Sequence, residues 1–427
     1  MVNVTKLPAS DITGKNTPIW LNIFWVGFLF YIGSYVISIT GQVSHVVCNL
    51  FQILGLLMFV PTASILSQSK ISNMYLRVVF FLFCCWSIGV IFRGIKLDYD
   101  YIKYFLFNPS AGFLVYLIPF ILLIPINTLF LKKTFDTLMI FSIFYIIYDI
   151  MFLNVLLAPY KGYANSMIVI ESFSNHLSLP SGFLLLTYIY HSKKRNFFAL
   201  FIIFLTFLLA TIRARRGLMF MSFTMMIVTY LLYQYANKTK IINIILSLFL
   251  ISTISFIAVN IYVKNRNDTF GYITQKIAAD TRSGVETYFY KGMTTKDWII
   301  GKGINGKYYC PMWDEITGIP SIYRDVIETG YLQVILNGGI VSLGLFSLIA
   351  IPAILKGFFS SRNILSKAAA LWIFLFLIFS YPGTPTSFSL FYILVWISIG
   401  ICYSNEYRSM SDDSIKELLS DNKPIKT

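Results

Sequence analysis

Long apolar runs separated by short polar clusters recur from about residue 19 to residue 404. A run of about 20 apolar residues crosses the core of a bilayer as a helix. The runs here are apolar on every face, unlike the one-sided stripe of a helix on a soluble domain. The pattern predicts about twelve spans, near 19–39, 46–66, 74–92, 111–131, 137–157, 173–190, 197–212, 217–235, 241–262, 331–355, 367–381 and 386–404. Pro61, Pro125, Pro180 and Pro352 fall inside them; membrane helices accept proline where neighbours satisfy the released backbone groups. No period of about 20 to 50 residues repeats, which excludes a solenoid.

The polar interludes set the orientation. Short cytoplasmic loops of inner-membrane proteins accumulate Lys and Arg. With the N-terminus inside, the inner loops hold Lys70 and Arg77, Lys132 and Lys133, "HSKKRN" at 191–196, Lys238 and Lys240, and Lys356, Arg362 and Lys367. The outer loops "SITGQVSH" and "PGTPTS" carry no Lys or Arg. The predicted fold is an all-α integral membrane protein with both termini cytoplasmic. Residues 1–262 carry spans one to nine, 263–330 form one large external loop, 331–404 carry the last three spans, and 405–427 are a cytoplasmic tail. The first apolar run is too long for a cleaved signal and lacks a small-residue cleavage site, so it reads as a retained span.

Composition narrows the function. The chain of 427 residues is 57% hydrophobic and 12% charged, with mean hydropathy +0.70; soluble domains carry about a quarter charged residues. The net charge of +15 belongs to membrane loops, and no basic stretch interleaved with aromatics points to a nucleic acid. Cys48, Cys84, Cys85 and Cys402 lie in apolar runs as packing residues, and Cys310 stands alone in the long loop. No disulfide framework is indicated.

One cluster breaks the charge pattern. "TIRARRGLMF", 211–220, places Arg213, Arg215 and Arg216 in the turn between spans seven and eight, on the outer face. Charges set against the topological trend at a membrane surface are functional candidates. Arginine grips phosphate through two parallel hydrogen bonds and stays charged at low dielectric. The phosphates available there are lipid headgroups and polyprenyl-pyrophosphate carriers.

The external loop offers further chemistry. Its first half mixes Arg266, Lys276, Arg282 and Lys291 with Asp268, Asp280 and Glu286, and parts of it read as surface helices. "GKGING" at 301–306 matches G-x-G-x-x-G in form, but no βαβ unit fits around it. A tight glycine turn is expected, either presenting N–H groups to substrate or turning the chain. Tyr308, Tyr309, Trp313 and Tyr323 suit sugar stacking or the membrane interface. Asp314, Glu315, Asp325 and Glu328 are the available bases, and Glu328 could instead orient Arg324 at helical spacing. Of His45, His176 and His191, His176 lies near the outer end of span six, as a packing or a site residue. Asp149, in span five beside Tyr145 and Tyr148, is costly enough there to need a partner.

An Arg216-Gly217 turn after an apolar helix, a long external loop, then "RDVIETGYLQVILNGGI" at 324–340 resembles the O-antigen polymerase and ligase superfamily. With "GKGINGKYYCP" at 301–311, the chain looks most like the Wzy-type repeat-unit polymerases. The resemblance implies a GT-C-like helical glycosyltransferase facing the periplasm or cell exterior, needing no metal, cofactor or nucleotide sugar. Its donor and acceptor would be undecaprenyl-pyrophosphate-linked glycans, with a polysaccharide chain-length regulator as a possible partner. Ligase relatives carry a His shortly before the "x-Y-L" sequence where this chain has Glu328, which points away from ligation to a lipid-A core and from His-based acceptor activation; the R-x10-G spacing of some polymerases is not kept by Arg213, Arg282 or Arg324. The expected clamp is Arg213 and Arg216, with Glu328 as base and Asp325 behind it. Arg215, Arg282, Arg324, Tyr331, His176 and Tyr308 are expected to bind substrate. O-antigen ligases and lipid-linked glycan flippases or transporters are the rival readings.

Overall fold

The computed structural model describes residues 17–420 except 69, 111, 158–162, 239–241, 244, 246–281 and 314–319. The ninth predicted span therefore lies almost wholly outside the described residues, as do Arg266, Asp268, Lys276, Asp280, Asp314, Glu315 and the side chains of Arg282 and Trp313. Among the described residues, Thr17–Ser38, His45–Leu66, Met74–Gly94, Thr128–Met151, Lys193–Ile212, Arg216–Ala236 and Gly330–Phe359 are helices long and apolar enough to cross a membrane. Phe113–Leu123, Ile364–Phe379 and Leu390–Tyr403 are shorter apolar helices. The protein is a mostly helical bundle whose outer surface is itself apolar, with Leu57, Phe81, Phe92 and Ile150 all exposed. Such a surface suits lipid.

Two short helices form the centre. Leu390–Tyr403 is buried at every position except Gly400. Its Trp396 packs edge-on or tilted against Phe80, Phe83 and Phe346, while Trp372 of Ile364–Phe379 meets Phe183 and Phe391. Each fully buried aromatic contributes about 2–3 kcal/mol by removal from water; inside a bilayer, dispersion against close-packed neighbours replaces that drive.

Three elements differ from the sequence pattern. The predicted break between spans four and five vanishes: Thr128–Met151 is one helix, and Lys132 and Lys133 lie in its first turns rather than in a loop. The chain instead breaks at Ile124–Asn127 after the 3₁₀ helix Phe113–Leu123, because Pro125 cannot continue a helical ladder; Asn127 then caps the new helix through Phe130 N–H at 2.8 Å. Span six is irregular, running from Tyr163–Phe173 through a π-helical turn at Ser174–Ser178 and a 3₁₀ turn at Leu179–Ser181. The external loop, parts of which read as surface helices, also holds an antiparallel hairpin, Tyr308–Trp313 with Pro320–Arg324.

Loop contacts sort the helix ends into two faces. On one, Gln68 N–H donates to Leu123 O (2.6 Å), Arg195 pairs with Asp136 (3.2 Å) and the Tyr190 hydroxyl donates to Asp412 (2.5 Å). Lys367 lies over the Tyr235 ring there, and Arg408 donates to Ser360 O. On the other face, Phe388 N–H donates to Pro109 O (2.7 Å), Ile304 N–H to Val90 O (3.0 Å) and Gly330 N–H to Gly383 O (3.1 Å). The basic loops share the first face, and the arginine turn lies on the second.

Candidate functional site

The arginine turn is built by a helix stop. Lys193–Ile212 ends at Arg213, Ala214 takes a left-handed φ of 51°, and Arg215 N–H closes back on Ala210 O at 2.8 Å. Arg216 then opens the 21-residue helix Arg216–Ala236. The three guanidiniums have different surroundings. Arg213 is buried, its Nε donating to Leu156 O at 2.8 Å, a carbonyl that also accepts from Ser166 Oγ. Arg215 forms an ion pair with Glu171 of helix Tyr163–Phe173. Arg216 is exposed, at a helix N-terminus whose dipole favours anions.

The second predicted motif is also a turn. Residues 325–329 link the hairpin to helix Gly330–Phe359, so Arg324 and Glu328 do not share a helix. Gln333 holds this turn, accepting from Ile327 N–H at 2.8 Å and donating to Asp325 O at 3.1 Å. Thr329 donates to Glu286 at 2.5 Å. Glu328 is exposed. Tyr331 donates its hydroxyl to Leu377 O. Tyr308 is buried opposite Arg324 in the hairpin and donates to Val326 O at 3.1 Å. Burial pushes its hydroxyl pKa up, with Arg324 opposing. Its neighbours Tyr309 and Tyr323 are 49% and 61% exposed, rings edge to face at 5.9 Å.

One loop joins the two turns. A Cβ on Gly217 would lie 3.1 Å from Pro382 O, and one on Gly330 2.6 Å from Gly383 O. Two cavities of about 190 Å³ each open beside this loop and share Ser110 and Thr384 in their walls. The first is lined by aromatics and amides, among them Tyr104, Tyr116, Asn108, Asn305, Gln333 and Asn337, with Asp325 and Tyr331. The second holds Tyr35, Glu171, Ser172, Asn175, His176 and Met221. Through Glu171, the second cavity adjoins the arginine turn.

Comparison with protein-family models, curated proteins and solved structures returns no match. The site therefore stands on its own geometry. Of the predicted residues, Asp325 and Tyr331 line the first cavity and His176 the second. Arg213, Arg215, Arg216, Glu328 and Tyr308 line neither cavity, and Arg215 reaches the second one through its ion pair with Glu171.

"GKGING" turns the chain. Gly301 and Gly303 take φ of +72° and +86°. The N–H groups of Lys302 and Gly303 donate to Leu336 O (2.7 Å) and Asn337 O (2.9 Å), carbonyls released where helix Gly330–Phe359 kinks at Gly339. Trp86 Nε1–H covers the next carbonyl, Gly338 O, at 3.0 Å. Glu171, the partner of Arg215, escaped notice in the sequence. As an acid at the edge of an apolar run, it carries the same signal that singles out Asp149. Asp149 itself is buried near Tyr145 without closing a hydrogen bond to it. Among the described residues, no three His, Cys, Asp or Glu side chains are placed to hold a metal ion.

Proposed function

We propose that this chain is an integral-membrane glycosyltransferase of the Wzy type, with twelve spans and a GT-C-like arrangement. It joins polyprenyl-pyrophosphate-linked repeat units into O-antigen or capsular polysaccharide at the outer face of the bacterial inner membrane. The observation that carries this reading is the meeting of the arginine turn and the 325–331 turn on adjacent residues of one loop, beside two adjoining cavities.

In the reaction, an acceptor sugar hydroxyl attacks C1 of the donor glycan. The C1–O bond to pyrophosphate breaks, and its electron pair leaves on the pyrophosphate oxygen. Arg216 meets that developing charge, aided by the N-terminus of its helix; preorganised donors of this kind supply about 3–4 kcal/mol each. Arg213 fixes the turn from beneath through Leu156 O, and Arg215 couples it to Glu171. The first cavity, with its tyrosines, amides and Asp325, is suited to a glycan, since sugar hydroxyls need paired donors and acceptors and sugar faces stack on aromatic rings. Apolar grooves between helices would take the polyprenyl tail.

Loss of the gene product in its host tests the reading. A polymerase loss leaves single repeat units attached to the carrier's normal destination. A ligase loss leaves none there, and a flippase loss stalls repeat units on the cytoplasmic side. Either of the last two outcomes overturns the proposal.

A further inference from the structure

His176 is 4% exposed and sits in the π-helical turn Ser174–Ser178, where the backbone widens and its own ladder is interrupted. Its Nδ1 lies 3.0 Å from Ser172 O. A carbonyl only accepts, so Nδ1 carries the proton, and in the neutral ring the lone pair is on Nε2. Tyr35 packs edge-on against the ring at 5.4 Å and holds its plane. Nε2 meets no hydrogen-bond partner, and the residue lines the second cavity. A buried nitrogen acceptor left unpaired is costly, and a ligand hydroxyl would relieve that cost. His191 differs: its Nε2 is 3.0 Å from Thr187 Oγ1.

Position distinguishes this nitrogen from the carboxylates. Attack occurs at the carbon that carries the pyrophosphate, on the face opposite the leaving group, so the base must reach the cavity in which that carbon sits. Asp325 lies in the first cavity, beyond Ser110 and Thr384, and Glu328 lines neither. His176 shares its cavity with Glu171, the partner of Arg215.

We propose that His176 Nε2 is the proton acceptor for the acceptor hydroxyl, which binds in the second cavity; this rests on the polymerase reading above. As the hydroxyl oxygen bonds to C1, its proton passes to Nε2 and the C1–O electron pair leaves with pyrophosphate. The resulting imidazolium shares the cavity with the Glu171 carboxylate, and its proton is then released to solvent. The ring returns to its Nδ1–H form.

The test uses membranes carrying the full chain, supplied with polyprenyl-pyrophosphate-linked repeat units. In His176→Asn, the side-chain amide can keep donating to Ser172 O while the Nε2 lone pair is lost. It is expected to lower kcat on the order of 10²- to 10⁴-fold, with KM little changed and the folded fraction on size exclusion equal to wild type. If wild-type membranes polymerise and folded His176→Asn matches their turnover, the His176 assignment alone is overturned. Wild-type membranes that form no polymer would overturn the polymerase reading and this assignment with it.

Discussion

Gly217 and Gly330, far apart in the chain, pack against neighbouring residues of the same loop: Gly217 against Pro382 and Gly330 against Gly383. The contact at Gly330 is the tighter, because its N–H also donates to Gly383 O at 3.1 Å. Loop 380–387 thus transmits the position of one turn to the other. The mutual geometry of the arginines and the 325–331 turn depends most strictly on Gly330, where an added Cβ would stand closest to the loop.

The two positions should respond unequally to alanine. At Gly330, a Cβ would stand 2.6 Å from Gly383 O and 3.0 Å from Ser380 O, both backbone atoms that cannot rotate away. Overpacking of this kind costs about 1–3 kcal/mol, and Gly330→Ala is expected to abolish polymer formation with a lower melting temperature in detergent. Gly217→Ala needs Pro382 to yield by only a few tenths of an ångström, so most activity is expected to survive. A polymer ladder and a thermal melt on both variants check the ranking.

Arg216 and Arg213 should separate chemistry from folding. Arg216 is exposed, so Arg216→Ala is expected to leave the melting temperature within about 2 °C while lowering turnover about 10²–10³-fold. Lysine restores the charge without the planar fork, and Arg216→Lys is expected to fall between. Arg213 is buried on Leu156 O, and removal of its side chain costs about 1–3 kcal/mol. Less folded protein, with near-normal turnover per folded molecule, is the expected result for Arg213→Ala. If both variants keep wild-type polymer length, the cluster serves topology or lipid contact.

The helical membrane character was legible because apolar length is a local property. Proline-broken segments were harder to delimit. Lys132 and Lys133 resembled a loop, yet they begin a helix whose true boundary is set by Pro125 and the Asn127 cap. The arginine turn stood out through its charge, but the differing environments of Arg213, Arg215 and Arg216 depend on Leu156 and Glu171, partners brought in by another helix. Gln333 carried no signal at all. An amide within an apolar run becomes informative only once the chain folds back to place Asp325 and Ile327 on it.

The carboxylates give a third comparison. Asp325 lines the first cavity, while Glu328 is exposed and lines neither cavity. If the first cavity binds the glycan, Asp325→Asn converts a charged acceptor to a neutral one and weakens hydrogen bonds worth about 1.5–3 kcal/mol. KM is expected to rise roughly 10-fold or more, with a smaller effect from Glu328→Gln. Initial rates against concentration of lipid-linked substrate decide this, and a larger effect at Glu328 would move the glycan out of the first cavity.

The kink at Gly339 offers the strictest test of the fold. Its φ of 69° and ψ of −177° lie in a region essentially reserved for glycine. A Cβ there would meet the backbone of Ile299 and Ile300. The kink releases the carbonyls that the "GKGING" turn and Trp86 satisfy, so straightening the helix would strand donors on both sides. Gly339→Ala is expected to cost at least the roughly 1–3 kcal/mol of backbone strain plus the lost contacts. Little folded protein should reach the membrane, measured by fluorescence-detected size exclusion. Gly344→Ala, in the same helix with nothing within 4 Å of its would-be Cβ, is expected to fold normally and to gain slightly from better helix propensity, about 1 kcal/mol at most.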